Sequence, residues 1–137
     1  DHGRDFRTHA PRRLAGYPVM ASAVVSRLAS AGLELPAPAA AVGAYVPAVR
    51  AGNLVFTSGQ LPMRGGELIA SGVVAVDVKP DHAADCATQC ALNALAAAST
   101  VCDLDTVVRV VKLVGYVASE PGFGGQPSHC WRLPNAG

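Results

Sequence analysis

Large aromatic side chains are scarce: three phenylalanines, three tyrosines and one tryptophan in 137 residues. That excludes a core of stacked rings, and equally a base-stacking platform for single-stranded nucleic acid. Excess charge is missing too. The formal net charge is +1, and from Met20 onward eight acidic residues meet seven basic ones, so there is no basic footprint for a nucleic-acid backbone. No run is long and apolar enough to span a membrane. The longest stretch without charge or proline, 86–102, falls short of the roughly 20 residues required and carries Gln89 and Asn93. The first nineteen residues lack the apolar centre of a secretory signal. The four cysteines make no disulfide framework, since Cys86 and Cys90 are one helical turn apart, Cys102 ends the same segment and Cys130 stands in the tail. A reduced, cytoplasmic location follows, with no membrane and no nucleic-acid partner.

What the chain has in quantity is small and aliphatic: hydrophobic residues make up 50% of it, alanine foremost. The length fits one domain with a Val, Leu and Ala core. Residues 1–19, rich in Arg, His, Pro and Gly and without period, read as a disordered or non-native leader before a natural start at Met20. The partial domain is expected at 20–128, followed by an aberrant tail at 129–137. A helix is expected over 21–33, with Ser22 as N-cap and Gly32 closing it, then a proline-stiffened linker to Gly43. Strand-like pieces at 45–49 and 54–57 flank Arg50-Ala-Gly-Asn53, where Gly52-Asn53 supplies a hairpin turn. Gly65-Gly66 marks the next turn. A third strand is expected over 68–78, broken at Gly72 by a bulge. Pro80-Asp81 opens a helix with Asp81 as N-cap, and Ala83, Cys86, Ala87, Cys90, Ala94 and Ala97 line the face that lies on the sheet. A connector at 104–109 leads to a strong alternating strand at 110–119. The order hairpin, strand, helix, strand is that of an α+β layer, a sheet with helices on one face.

The second hairpin strand ends in Ser58-Gly59-Gln60, a polar, glycine-centred end where backbone groups can meet a ligand. The pattern of Gly43-Ala-Tyr-Val46 with Gly52-Asn-Leu-Val-Phe-Thr-Ser-Gly-Gln-Leu-Pro62 resembles the opening of the RidA/YjgF family. Cys90-Ala-Leu-Asn-Ala-Leu95 and Gly115-Tyr-Val-Ala-Ser-Glu-Pro-Gly-Phe123 extend the likeness from about Leu35 to Gln126, toward a YjgF-like branch whose substrate is generally unassigned. The resemblance implies a chorismate-mutase-like mixed sheet with helices on one face, incomplete here. It also implies a homotrimer with ligand clefts between subunits, no cofactor, and a small carboxylate-bearing metabolite as partner. The activity it implies is hydrolysis of reactive enamines and imines of the 2-iminobutanoate type to 2-oxo acids and ammonia. The alternative is a non-catalytic trimer of the same fold that binds such metabolites. The endoribonuclease label attached to some members gets no support from the near-neutral charge.

Residue by residue, Tyr45 matches the family's early-strand tyrosine, and Ser58 and Gly59 match its Ser-Gly, giving three expected substrate-binding residues. The family's late arginine, which clamps the carboxylate, and its late glutamate, which handles a proton with water, have no counterpart. No catalytic residue is therefore assigned, and the chain as it stands is expected to be inactive. Instead of the expected Val-Ile-Asn-Gly-Ala-Ser after Gln126-Pro127, the tail reads His129-Cys-Trp-Arg132, as a frameshift near Ser128 would produce. Arg50, Arg64 and Arg109 read as solvated turn or strand-edge charges. Tyr45 can equally be a half-buried strand aromatic and Ser58 a strand end. Cys86 and Cys90 read as small core residues, with no further pair to complete a metal site. His82 faces water in a first helical turn, His129 and Cys130 lack catalytic geometry, and Gly122-Phe-Gly-Gly125 is a loop without the lysine of a phosphate cradle.

Overall fold

Helix α1, Ala23–Ser30, begins where the sequence places it. Ser22 is the N-cap and its hydroxyl accepts from Val25 N–H at 3.4 Å. It ends in a Schellman arrangement: Gly32, at φ +71°, donates to Ala29 O, and Leu33 donates to Leu28 O at 2.8 Å. These features come from a computed structural model that describes residues 22–39 and 45–127. The leader at 1–19, the start at Met20, Gly43 and the tail at 129–137 lie outside the described residues.

The hairpin forms with shifted boundaries. Strands β1, Ala48–Ala51, and β2, Leu54–Thr57, pair antiparallel with Ala51 opposite Leu54, so Arg50 and Ala51 belong to the strand rather than the turn. The turn is Gly52-Asn53, and only Gly52 takes a positive φ, +59°, the pattern of a type II′ turn. A second, shorter hairpin joins β3, Met63–Arg64, to β4, Glu67–Leu68, across Gly65-Gly66.

The third strand expected over 68–78 does not form. Strand β4 stops at Leu68, and the chain coils through 73–78 with Val73 O accepting from the amides of Val76, Asp77 and Val78. Gly72 opens this coil at φ +132°, and a Cβ there would sit 2.5 Å from that of Asp77, whose Oδ2 accepts from Val73 N–H. The strand expected over 110–119 is unpaired along most of its length. Its one described link is a parallel bridge from Ser119 to Val74, with Val74 donating to Ala118 O at 2.8 Å. A strand is a property of a pair, and alternation without a neighbour gives only extended chain.

Helix α2, Pro80–Ala98, starts two residues earlier than Asp81 would allow as cap: Lys79 is the N-cap, Pro80 fills the first helical position and Asp81 lies in the first turn. It packs on β1, β2 and β3. The face it buries is Gln89, Leu92 and Ala96, with Ala97 beside them, so the expected small-residue face through Ala83, Cys86, Cys90 and Ala94 is turned partly away. Ala48, Val74 and Leu104 complete the buried apolar set. The connector at 104–109 begins as a 3₁₀ turn, Leu104–Thr106. The fold is α+β, with helices and small antiparallel sheets.

Candidate functional site

The end of the first hairpin is held from both strands. Ser58 N–H and Ser58 Oγ both donate to Pro47 O, at 2.9 and 3.2 Å. Gln60 Nε2 reaches back to Ser58 O and Ser58 Oγ, at 3.1 and 3.2 Å. The serine hydroxyl therefore has both a donor and an acceptor role filled, which makes it a brace and not a nucleophile. Gly59 follows, exposed, with nothing within 4 Å of where its Cβ would stand. No described residue accepts from Gly59 N–H. Tyr45 lies two residues before Pro47, where the chain bends into β1, and it is outside the paired register. Tyr45 is 53% exposed. Ser58 and Gly59 thus stand at the open end of the hairpin, and Tyr45 is exposed on the chain that enters it.

The three arginines are placed apart from it. Arg50 lies toward the opposite end of the hairpin, its Nε donating to Gly52 O at 3.0 Å, as a turn charge. Arg109 is exposed on the unpaired extended segment. Arg64 departs from expectation: it is not merely solvated. Its Nε donates to Gln89 Oε1 at 3.0 Å, and Gln89 is 4% exposed. Gln89 Nε2 donates in turn to Asn93 Oδ1, and Asn93 Nδ2 donates to both Leu61 O and Met63 O, each at 3.0 Å. This chain of amides ties α2 to the segment between Gln60 and β3, and so fixes the approach to Ser58 and Gly59. Hydrophobic periodicity cannot find it, because Gln89 and Asn93 interrupt the apolar pattern. Their i, i+4 spacing facing an arginine was the available signal.

A groove of about 380 Å³ opens where the chain after α1 passes α2, with Leu33, Glu34 and Pro36 on one side and Arg64, Gln89 and Leu92 on the other. None of Tyr45, Ser58 or Gly59 lines it. Nearby, burial pushes the Cys86 thiol up, Asp85 adds to the shift, and Arg64 pulls the other way. A thiol kept protonated is a poor nucleophile and a poor metal ligand, as its assignment to packing requires. Among the described residues no group of three or more His, Cys, Asp or Glu could hold a metal, and no helix is long and apolar enough to cross a membrane.

Asp105 is a second polar node that periodicity does not reveal. Its carboxylate accepts from Ser22 Oγ, Ala23 N–H and Val24 N–H, each at 2.9 Å, and so caps α1 from 82 residues downstream in the case of Ala23. The amides of Val24 and Ala23, then the Ser22 hydroxyl and the charge of Arg27, hold this carboxyl below the usual carboxylate range.

Known proteins resemble this chain in sequence and fold. The family model described as "YjgF/chorismate mutase-like, putative endoribonuclease" matches residues 25–121, which takes in α1 as well as the hairpin. Protein TCP17 of Trypanosoma cruzi is 34% identical over 109 residues, covering 79% of this chain and 68% of its own length. The crystal structure of a "putative endoribonuclease" from Shewanella oneidensis is 32% identical with a TM-score of 0.71, over 77% of this chain and 70% of that one. Atu1372 from Agrobacterium tumefaciens, a protein of unknown function, is 40% identical with a TM-score of 0.67, over 78% of this chain and 65% of that one. The chain spans about two-thirds of the length of these relatives. A family match across most of the described residues, joined to a fold shared at this level of identity, carries one conclusion: the chain belongs to the YjgF/chorismate mutase-like family.

Proposed function

We propose that this protein is a RidA-like scaffold for reactive enamines and imines, whose hairpin end forms one wall of a cleft completed by a neighbouring subunit in a cytoplasmic trimer. The observation that carries the reading is the exposed Gly59 on a segment braced by Ser58 and Gln60, with an exposed Tyr45 on the chain that enters the same hairpin end. A braced backbone donor and an exposed tyrosine suit a small carboxylate-bearing metabolite such as a 2-imino acid. Hydrolysis needs more. Water must add to the imine carbon and the C–N bond must break, giving a 2-oxo acid and ammonia, with a positioned group to move the proton. An arginine normally clamps the carboxylate. Arg50 is bonded at the turn, Arg64 lines the groove that Tyr45, Ser58 and Gly59 do not line, and Arg109 stands on the exposed segment. The 137-residue chain therefore holds the ligand without turning it over.

The test pairs two measurements on the chain. Binding of 2-oxobutanoate, a stable stand-in for the imine, is expected to saturate and to weaken on Tyr45→Phe. Ammonia release from 2-iminobutanoate generated in place is expected at the buffer rate. Turnover well above buffer would overturn the site assignment and make Arg50 and Arg109 the first residues to mutate. The description of the matching family and the name of the Shewanella protein favour a second reading, RNA cleavage. Loss of RNA on incubation with rigorously purified protein would support it against the first, although a net charge of +1 offers the backbone little.

A further inference from the structure

The groove between the end of α1 and α2 has the makings of a ligand site separate from the hairpin end. Its floor and sides include Leu33, Pro36 and Leu92, and it holds one residue of each charge, Arg64 and Glu34. Arg64 is pre-oriented. Its Nε is fixed on Gln89, Gln89 is buried and fixed on Asn93, and Asn93 is fixed on two backbone carbonyls. A surface arginine ordinarily gives up rotamer freedom on binding an anion. Here the guanidinium plane is set beforehand, and the terminal nitrogens have no acceptor among the described residues. Glu34 makes no ion pair with Arg64 among the described residues, so the two charges stand in one groove without neutralising each other. A simple anion would meet the repulsion of Glu34, and a simple cation that of Arg64. A molecule carrying both charges meets neither.

We propose that this groove binds a free, apolar α-amino acid. Its carboxylate sits on the Arg64 guanidinium, its ammonium faces Glu34, and its side chain lies against Leu33, Pro36 and Leu92. The volume of about 380 Å³ accommodates such a molecule. Glycine at position 32 matters to the site as well, since its left-handed turn is what directs Leu33 and Glu34 back toward α2.

Leucine titrated into the chain, followed by calorimetry and by amide chemical shifts, tests the proposal. Saturable binding is expected, with shifts at Leu33, Glu34 and Arg64. N-acetyl-leucine, which lacks the ammonium, and leucinamide, which lacks the carboxylate, are each expected to bind more weakly. Arg64→Met is expected to weaken leucine about 10- to 100-fold, the equivalent of a lost charge-assisted pair. Glu34→Gln is expected to abolish the preference for leucine over N-acetyl-leucine. Both side chains are exposed, and unchanged far-ultraviolet circular dichroism of each variant confirms that the fold stands. No saturable binding at millimolar leucine, equal binding by Arg64→Met, or equal binding of N-acetyl-leucine would each overturn the assignment. Because Tyr45, Ser58 and Gly59 do not line the groove, failure here leaves the hairpin-end reading standing, and the reverse also holds.

Discussion

Asp105 shows how one side chain can hold a whole element. Helix α1 buries no residue of its own and packs on the 3₁₀ turn that carries Asp105. What anchors it is one carboxylate taking three donors at its N-terminus. The charged form is the one that accepts them all, so the folded carboxyl titrates below its unfolded value. The sign is fixed by that direction: the anchoring is complete above the unfolded pKa, about 4, and is lost as pH falls through the lower folded value. Hydrogen exchange at Ala23 and Val24 is therefore expected to lose protection, relative to α2 amides, on acidification below about pH 4. Asp105→Asn should loosen the same amides at neutral pH, because a neutral amide supplies one weaker acceptor. Equal protection of Ala23 and Val24 in Asp105→Asn and the parent at pH 7 would show that the carboxylate does not anchor α1.

At the scale of elements, sequence pattern and structure part company where a neighbour decides the outcome. The caps of α1, Ser22 and Gly32, were legible because they satisfy backbone groups locally. So was the hairpin, because Gly52 meets a local demand for positive φ. The segments 68–78 and 110–119 are rich in valine, as strands should be, yet the one described bridge between them joins Val74 to Ser119. Their pairing depends on partners that local pattern does not specify. Helix α2 was legible in its place along the chain but not in orientation. Its alanines are spread over several faces, so small size did not single out the face that meets the sheet; Leu92 and the Gln89 network did. The candidate site divides the same way. Tyr45, Ser58 and Gly59 could be named from their motif, whereas the Arg64 groove depends on a chain reversal at Gly32 and on a buried amide. A substitution pair tests the orientation of α2. Ala96 is 1% exposed, and Ala96→Leu is expected to cost about 1–3 kcal/mol by overpacking. The exposed Ala91→Leu is expected to stay within about 0.5 kcal/mol of the parent. Denaturant melts that ranked the two in the opposite order would mean that α2 is rotated about its axis.

At the largest scale, the decisive quantity is how little apolar surface the described residues hide among themselves. The buried apolar residues are Ala48, Val74, Leu92, Ala96, Ala97 and Leu104, and no side chain among the described residues falls below 2% exposure with substantial volume. Meanwhile Val49, Leu54 and Phe56 of the hairpin are about half exposed, Val110 and Val111 about 70%, and Tyr116 95%. The alternating segment 107–118 presents apolar side chains on both faces and, along most of its length, open backbone edges. Surfaces of this kind are covered by other chains or drive aggregation. Association that buries them stabilises the folded form by mass action, so the melting temperature is expected to rise with protein concentration. Light scattering is expected to show growth of mass over the same range, as a broad distribution when self-association is unspecific and as a defined trimer when the cleft of the proposed function forms. Val111→Lys places a charge in the middle of the apolar segment without touching the buried residues, and it should flatten both concentration dependences. A melting temperature independent of concentration, with a monodisperse monomer throughout, would show that the exposed apolar faces are not association surfaces, and it would remove the neighbouring subunit that the hairpin-end cleft requires.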